Sequence, residues 1–404
     1  MSMVQRNLMG ESVGSGGVRR ALTASYPRRL RTRRGIHPLI AALVVLLPTL
    51  ASGTPPKPPD QVCVEGASNC GNDTVVPSEG RIKWHPGHYM LVFPDAPQSH
   101  LDDLRNEPNV QGVQVRYRWV NLERQKGVYD FSRIESDLRY LSSMPTPKRL
   151  ILQILDRKFD TNDPRGIVPE YLLTDPEYNG GVARTKNGYT ARLWNKNVMD
   201  RLIALNKALA KRFDEEPYFE GITSAETTPG FGSQSWPEDY SRAALAAQLK
   251  RMMAAARGSW QKTNVFIYTN YLVDELPGLI AYAHETGCGV GGPDVTPKAP
   301  SAGARIIMGI DGGRSYIGKT PVAFAIQSGE LCGKEGCNRP SDLYKFAVND
   351  LGVNYLFWLR FGTAKDTAAD KYSWRDGMLP VIRANGGRIN AACPANYRGA
   401  CATD

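Results

Sequence analysis

Long hydrophobic runs are missing from this 404-residue chain. No apolar stretch reaches the roughly 20 residues that a membrane-spanning helix needs, which excludes a multi-pass membrane protein. No GxGxxG or GxxxxGK[ST] follows an early strand candidate, so a nucleotide-binding sheet is poorly supported. There is no CxxC, and the five histidines are scattered, so neither a metal nor a cofactor is expected. His85 and His88 are three apart, a spacing read here as hydrogen-bonded structure rather than a metal site. No repeat of solenoid period is present. Basic charge is also short where it would matter. Eight arginines and one acid within residues 1–53 carry +7 of the net +10. The remaining +3, spread over about 350 residues, speaks against a nucleic-acid partner.

The first 53 residues read as an address. A basic cluster, Arg28–Arg34, precedes the apolar run Leu39–Ala51, and Ala51-Ser52-Gly53 supplies small residues for cleavage. That order is that of a secretory signal peptide, with an over-extended start before it; a single membrane anchor is the alternative. Export implies a secreted or periplasmic protein with no stable membrane insertion after cleavage. Residues 54–80 follow as a Pro-rich linker with Cys63 and Cys70. Seven cysteines all lie beyond residue 53, and an oxidising compartment makes disulfides plausible. Three pairs are close in sequence: Cys63 with Cys70, Cys332 with Cys337, and Cys393 with Cys401. Pairing them leaves Cys288 over.

From residue 81 to 390, short β-like runs alternate with helical patterns. The strands predicted are Tyr89–Phe93, Val113–Trp119, Arg149–Leu155, Phe219–Ala225, Val265–Asn270, Gly287–Gly291, Val322–Gln327 and Tyr355–Arg360. The clearest helices are Asn197–Phe213 and Tyr240–Ala256. Eight such strands fit a single α/β domain, a (β/α)8 TIM barrel, better than an open sheet, with residues 391–404 as a C-terminal tail. In Val113–Trp119 the apolar residues alternate with Gln114, Arg116 and Arg118, which suits a lumen-facing polar row; an edge strand with a wet face is the alternative. By the same parity Ser224 and Glu226 share a face, as do Ala323, Ala325 and Gln327, and Leu356, Trp358 and Arg360. Each set ends where a barrel gathers its active site.

The segment Trp119-Val120-Asn121-Leu122-Glu123-Arg124-Gln125-Lys126-Gly127-Val128-Tyr129-Asp130-Phe131 resembles W-x-x-[LI]-E-x-x-x-G-x-Y-[DN]-[FW] after the second strand of clan A glycoside hydrolases. Families 42, 39 and 5 carry versions of it. The resemblance implies a TIM barrel, a carbohydrate substrate and a retaining two-carboxylate mechanism. It implies Glu226 as general acid/base, though Ala225 stands where the clan has Asn. Arg116 or Arg118 is similar to the arginine that supports the nucleophile, and Trp358 to the tryptophan flooring the sugar site. Gln327 occupies the usual nucleophile position, and a neutral amide cannot form a glycosyl-enzyme through a carboxylate.

Hydrolysis needs a second carboxylate opposite the acid. Glu330 is the first candidate, followed by Asp294, Glu275 and Asp156. Glu123 reads instead as an organiser of its loop. Among aromatics able to stack on a sugar, Trp194, Trp236, Trp358, Tyr268 and Tyr271, Trp236 is preferred because its loop follows Glu226. Asn270 either bonds a hydroxyl or caps the next helix. The leading expectation is an exported glycosidase; the alternative is a catalytically inactive carbohydrate-binding barrel.

Overall fold

A computed structural model describes residues 81–403 apart from 161, 233–234, 273, 311, 328–337, 361–372 and 388. Eight parallel strands close into a barrel: β1 (Gly87–Val92), β2 (Val110–Arg118), β3 (Arg149–Leu155), β4 (Phe219–Glu226), β5 (Asn264–Tyr268), β6 (Gly289–Gly292), β7 (Val322–Ile326) and β8 (Tyr355–Leu359). All eight predicted strands are present, and β3 has the predicted bounds. Parallel neighbours need crossovers, and helices supply most of them. They are α1 (Ser132–Ser142), α2 (Lys196–Phe213), α3 (Arg242–Ser259), α4 (Leu276–Glu285), α5 (Ala302–Met308) and α6 (Pro340–Lys345), and α7 (Leu379–Asn385) follows β8.

Local chemistry sets the long helices. Asn195 caps α2 by accepting from the amides of Asn197 and Val198, and Lys211 and Arg212 face the dipole at its end. Val198, Leu202, Leu205 and Leu209 bury one face of α2 against the barrel. Ser241 caps α3 through the Ala244 amide. Among the described residues, no helix is long and apolar enough to cross a membrane.

Two layers of core result. Odd residues of β2, Val113, Val115 and Tyr117, pack outward with the helices. The lumen holds Tyr89, Leu91, Ile151, Phe266, Tyr268, Ala323, Ala325, Tyr355 and Phe357. Trp84 and Tyr397 close the lower end, where Ile82–Lys83 pairs in parallel with Cys401–Ala402.

Of the three predicted disulfides, the one between Cys393 and Cys401 is formed, beside this plug, and Cys288 is buried and free as expected. Cys332 and Cys337 lie outside the described residues. Cys63 and Cys70 lie outside as well, within residues 1–80, together with the predicted signal and linker.

Glu123 is the centre of the loop after β2. Its buried carboxylate accepts from Trp119 Nε1 and the Gly127 amide, both at 3.0 Å, from Tyr171 OH at 3.1 Å, and from Arg201. Four donors use up an ionised carboxylate, so this residue builds the loop. His85 and His88 are also structural. His85 Nδ1 lies 2.9 Å from Glu220 Oε2, and His88 Nδ1 accepts from Trp358 Nε1 at 3.0 Å.

Candidate active site

Polar side chains enter the lumen at two levels. At the lower one, Gln114 Nε2 reaches Thr223 Oγ1 at 3.0 Å and Tyr268 OH at 3.1 Å, tying β2 to β4 and β5. Two residues further along β2, Arg116 crosses the mouth. Its Nε donates to Gln153 Oε1 on β3 at 2.7 Å and its Nη2 to Gln327 Oε1 beyond β7 at 3.0 Å. Burial lowers the Arg116 pKa from its ordinary value, while Tyr268, Glu226 and Asp294 act in the opposite sense. Tyr268 titrates well above a free phenol, first because it is buried.

Glu226 reaches the mouth through an irregularity. Strict alternation from Thr223, which meets Gln114 in the lumen, would turn Glu226 toward the helices. The β4–β5 register runs Thr223↔Phe266 and then Glu226↔Tyr268, so three steps on β4 face two on β5. This bulge gives Glu226 the face of Tyr268, which is the lumen. Ser224 therefore does not share that face, contrary to the parity expectation. Its Oγ accepts from the Tyr268 amide at 3.1 Å instead. Glu226 is half-buried, and its Oε2 accepts from Asn270 Nδ2 at 2.9 Å. Arg157 donates to the Glu226 carbonyl at 2.7 Å, and the charges of Glu226 and Asp156 favour its cationic form against burial.

The other predicted residues fall in different places. Asn270 touches Glu226, and Gln327 joins the Arg116 network, donating from Nε2 to Pro293 O at 2.9 Å and to Asp294 Oδ1 at 3.1 Å. Arg118 stands higher on the rim, bonded to Asp95 at 2.6 Å. Trp236 is 46% exposed, with its ring edge-on to Tyr240 and under the Arg242 guanidinium. Trp358 corrects the expectation of a sugar floor. It is fully buried on the outer face of β8, packed with the helix-side core and bonded to His88. Leu356 and Trp358 share a face, as the parity implied, but it is the face away from the lumen. Trp194 is likewise buried, against Phe231 and Tyr240. Glu330 lies outside the described residues.

Three contributors were not anticipated. Gln153 interrupts the apolar run Leu150–Leu155, and that was its readable signal. Arg157 follows β3 and carries no such mark. Phe93, 48% exposed at the end of β1, faces the Arg116 guanidinium 5.6 Å away. A cavity of about 330 Å³ opens beside Phe93, Arg116, Arg118 and Asn121. Tyr271, 47% exposed, is the neighbour of Asn270. Among the described residues, no group of three or more His, Cys, Asp or Glu is placed to hold a metal ion.

The class of molecule defined so far is a (β/α)8 barrel with charged side chains gathered at the C-terminal ends of its strands. No family model and no curated protein matches the chain in sequence. Among solved structures, it is similar to a β-galactosidase from Bacillus circulans sp. alkalophilus, with 12% identity and a TM-score of 0.50. The alignment covers 74% of this chain and 56% of that one. A GH5_18 protein from Streptomyces cattleya, solved with GlcNAc, aligns at 13% identity and a TM-score of 0.49, over 80% and 82% of the two chains. Endo-glycoceramidase II from Rhodococcus sp., solved as a lactosyl-enzyme intermediate, aligns at 13% and 0.48, over 78% and 83%. At such identity the likeness is one of fold.

Proposed function

We propose that this chain hydrolyses glycosidic bonds in an oligo- or polysaccharide, with Glu226 as general acid/base. The observation that carries the reading is the placement of Glu226. A bulge turns it into the barrel mouth, Asn270 orients its carboxylate, and the half-buried Arg116 and buried Arg157 lie close enough to feel its charge. In the forward step the Glu226 carboxyl gives its proton to the glycosidic oxygen as the bond to the anomeric carbon breaks. Phe93 and Tyr271, both about half exposed, are aromatic rings of the kind that packs on the apolar face of a pyranose. The motif Trp119–Phe131 and the barrel fold both support the reading.

One observation favours a second reading, a sugar-binding barrel without catalysis. Gln327, neutral, fills the position where the resemblance calls for a nucleophilic carboxylate. The two separate on the mature chain assayed against aryl glycosides and polysaccharides. Glu226→Gln is expected to lower turnover at least ~100-fold with an unchanged melting temperature. Undiminished turnover removes Glu226 from the mechanism; sugar binding without any hydrolysis by the native chain supports the second reading.

Export belongs to the same proposal. The basic-apolar-small order of residues 1–53 supports it, and the Cys393–Cys401 disulfide is compatible with an oxidising compartment. Disulfides between Cys63 and Cys70 and between Cys332 and Cys337 remain part of this proposal, resting on their closeness in sequence. Thiol titration of the denatured mature chain should find no more than one free thiol; five or more would overturn both pairings.

A further inference from the structure

Beyond the level of Arg116, the loops after β1, β2 and β3 enclose a second cavity, of about 540 Å³. Small-ligand sites have volumes of roughly 300–1,000 Å³. Its walls include Asp95, Arg118, Asn121, Lys158, Phe159 and Arg165. Two strands tie it to the barrel mouth. Arg118 stands two residues beyond Arg116 on β2, and Arg116 reaches Gln327 across the mouth. Lys158 follows Arg157, which donates to the Glu226 carbonyl.

The walls are built rather than loose. Asp95 has a left-handed backbone, φ 63°, a conformation that aspartate tolerates better than most residues. Its carboxylate accepts from Arg118 Nε at 2.6 Å and from Asn121 Nδ2 at 3.5 Å, which joins the loop after β1 to that after β2. The Val120 amide donates to the Ile167 carbonyl at 3.3 Å and joins the loop after β2 to that after β3. Arg157–Lys158 pairs antiparallel with Tyr189–Ala191. Gly188 packs so closely against this pair that a Cβ there would fall 1.9 Å from the Lys158 carbonyl oxygen.

The wall chemistry selects the occupant. Phe159 is 72% exposed, the most of any large hydrophobic residue among those described. Around it the charges cancel in pairs: Arg118 with Asp95, Lys158 with Asp160 at 3.5 Å, and Arg165 with Asp163 at 3.0 Å. Three cations against three carboxylates leave no net charge to attract an ionic ligand. The Arg118 Nη groups have no partner among the described residues, and a planar guanidinium can donate to two neighbouring hydroxyls at once. An apolar ring beside such groups is the complement of a neutral pyranose, which has one apolar face and a rim of hydroxyls.

Building on the glycosidase reading above, we propose that this cavity is a second sugar site, holding a neutral sugar residue of the same substrate chain. The sugar stacks on Phe159, and Arg118, Asp95 and Asn121 bond its hydroxyls. The substrate then extends from Glu226 outward over the loops after β2 and β3.

The test titrates the mature chain calorimetrically with cellohexaose, mannohexaose and xylohexaose, and with hexagalacturonic acid as the charged counterpart. At least one neutral hexaose is expected to bind, and more tightly than the acid. Phe159→Ala should weaken that hexaose about tenfold, the scale of one ring contact, with an unchanged melting temperature. Asp95→Asn leaves one cation unmatched, so it should weaken the neutral hexaose and strengthen the acidic one. In turnover, Phe159→Ala should lower kcat/KM for the hexaose about tenfold more than for an aryl glycoside, whose single sugar occupies the Glu226 site. The assignment is overturned if no neutral hexaose binds, if the acid binds more tightly, if Phe159→Ala binds as the native chain does, or if hexaose and aryl glycoside lose equally. None of these outcomes touches the role of Glu226. A native chain that binds a hexaose through Phe159 but cleaves no glycoside overturns the glycosidase reading alone.

Discussion

Glu220 and Glu226 lie on the same strand, one at each end of the barrel, and their surroundings differ throughout. Glu220 is fully buried at the closed end. It accepts from the His85 amide and His85 Nδ1 at 2.9 Å, from Tyr355 OH at 2.7 Å, and from Asn264 and Arg149 at longer range. Burial alone would raise its pKa, but His85, Arg149 and Tyr355 outweigh burial and hold the carboxyl below its ordinary value. Glu226, at the open end, is half-buried and held by Asn270. A carboxylate whose lone pairs are filled by the fold stabilises the fold; one left facing the mouth is available to a substrate. The plug of Trp84, Tyr397 and the C-terminal segment seals the end at which Glu220 lies.

The largest effect expected from disturbing this contrast is at the sealed end. Glu220→Gln leaves Arg149 facing a neutral amide and should destabilise the fold by about 3–5 kcal/mol, the cost of breaking a buried pair. Urea unfolding measures it. The pH dependence has a definite sign. A carboxyl whose pKa falls on folding contributes fully above the ordinary glutamate value of about 4.3, and that contribution is lost as pH falls through the lowered one. Glu220→Gln should therefore flatten the acid limb of the stability curve.

A smaller loss is expected from opening the plug. Cys401→Ser removes a disulfide closing a sequence separation of 8. It should cost about 2 kcal/mol in thermal or urea unfolding while leaving the chemistry at the mouth unchanged. If the two ends are independent, its effect adds to that of a mouth variant. The smallest effect is at the open end. Asn270→Ala removes one bond to the Glu226 carboxylate and should lower turnover by about tenfold, the kinetic equivalent of about 1.4 kcal/mol, with little change in melting temperature. A melting shift as large as that of Glu220→Gln would erase the distinction between the ends.

Much of the barrel was readable because its strands alternate with helices of regular apolar period. Val113–Trp119 even showed which side faces the lumen, since only one side is polar. β8 shows where such reading ends. Tyr355-Leu356-Phe357-Trp358-Leu359 is buried on both faces, so nothing in its alternation tells lumen from helix layer, and Trp358 was assigned to the wrong one. The bulge at Glu226 is invisible for another reason. It is a property of pairing between two strands, and counting along one strand cannot detect it. Asp294 and Gln327, each singled out separately, meet across neighbouring strand ends, a contact that counting along either strand cannot give. Glu123 was the easier case, because its motif carries the Trp and Gly that bond to it.

The most direct test of the account compares the native chain with Glu226→Gln on aryl glycosides whose leaving groups span a wide range of basicity. A leaving group that departs as a stable anion needs no proton, whereas a basic one does. The account predicts a defect that is small for the most acidic leaving groups and grows to ~100-fold or more as their basicity rises. A defect of the same size for every leaving group, or none at all, would contradict the role given to Glu226.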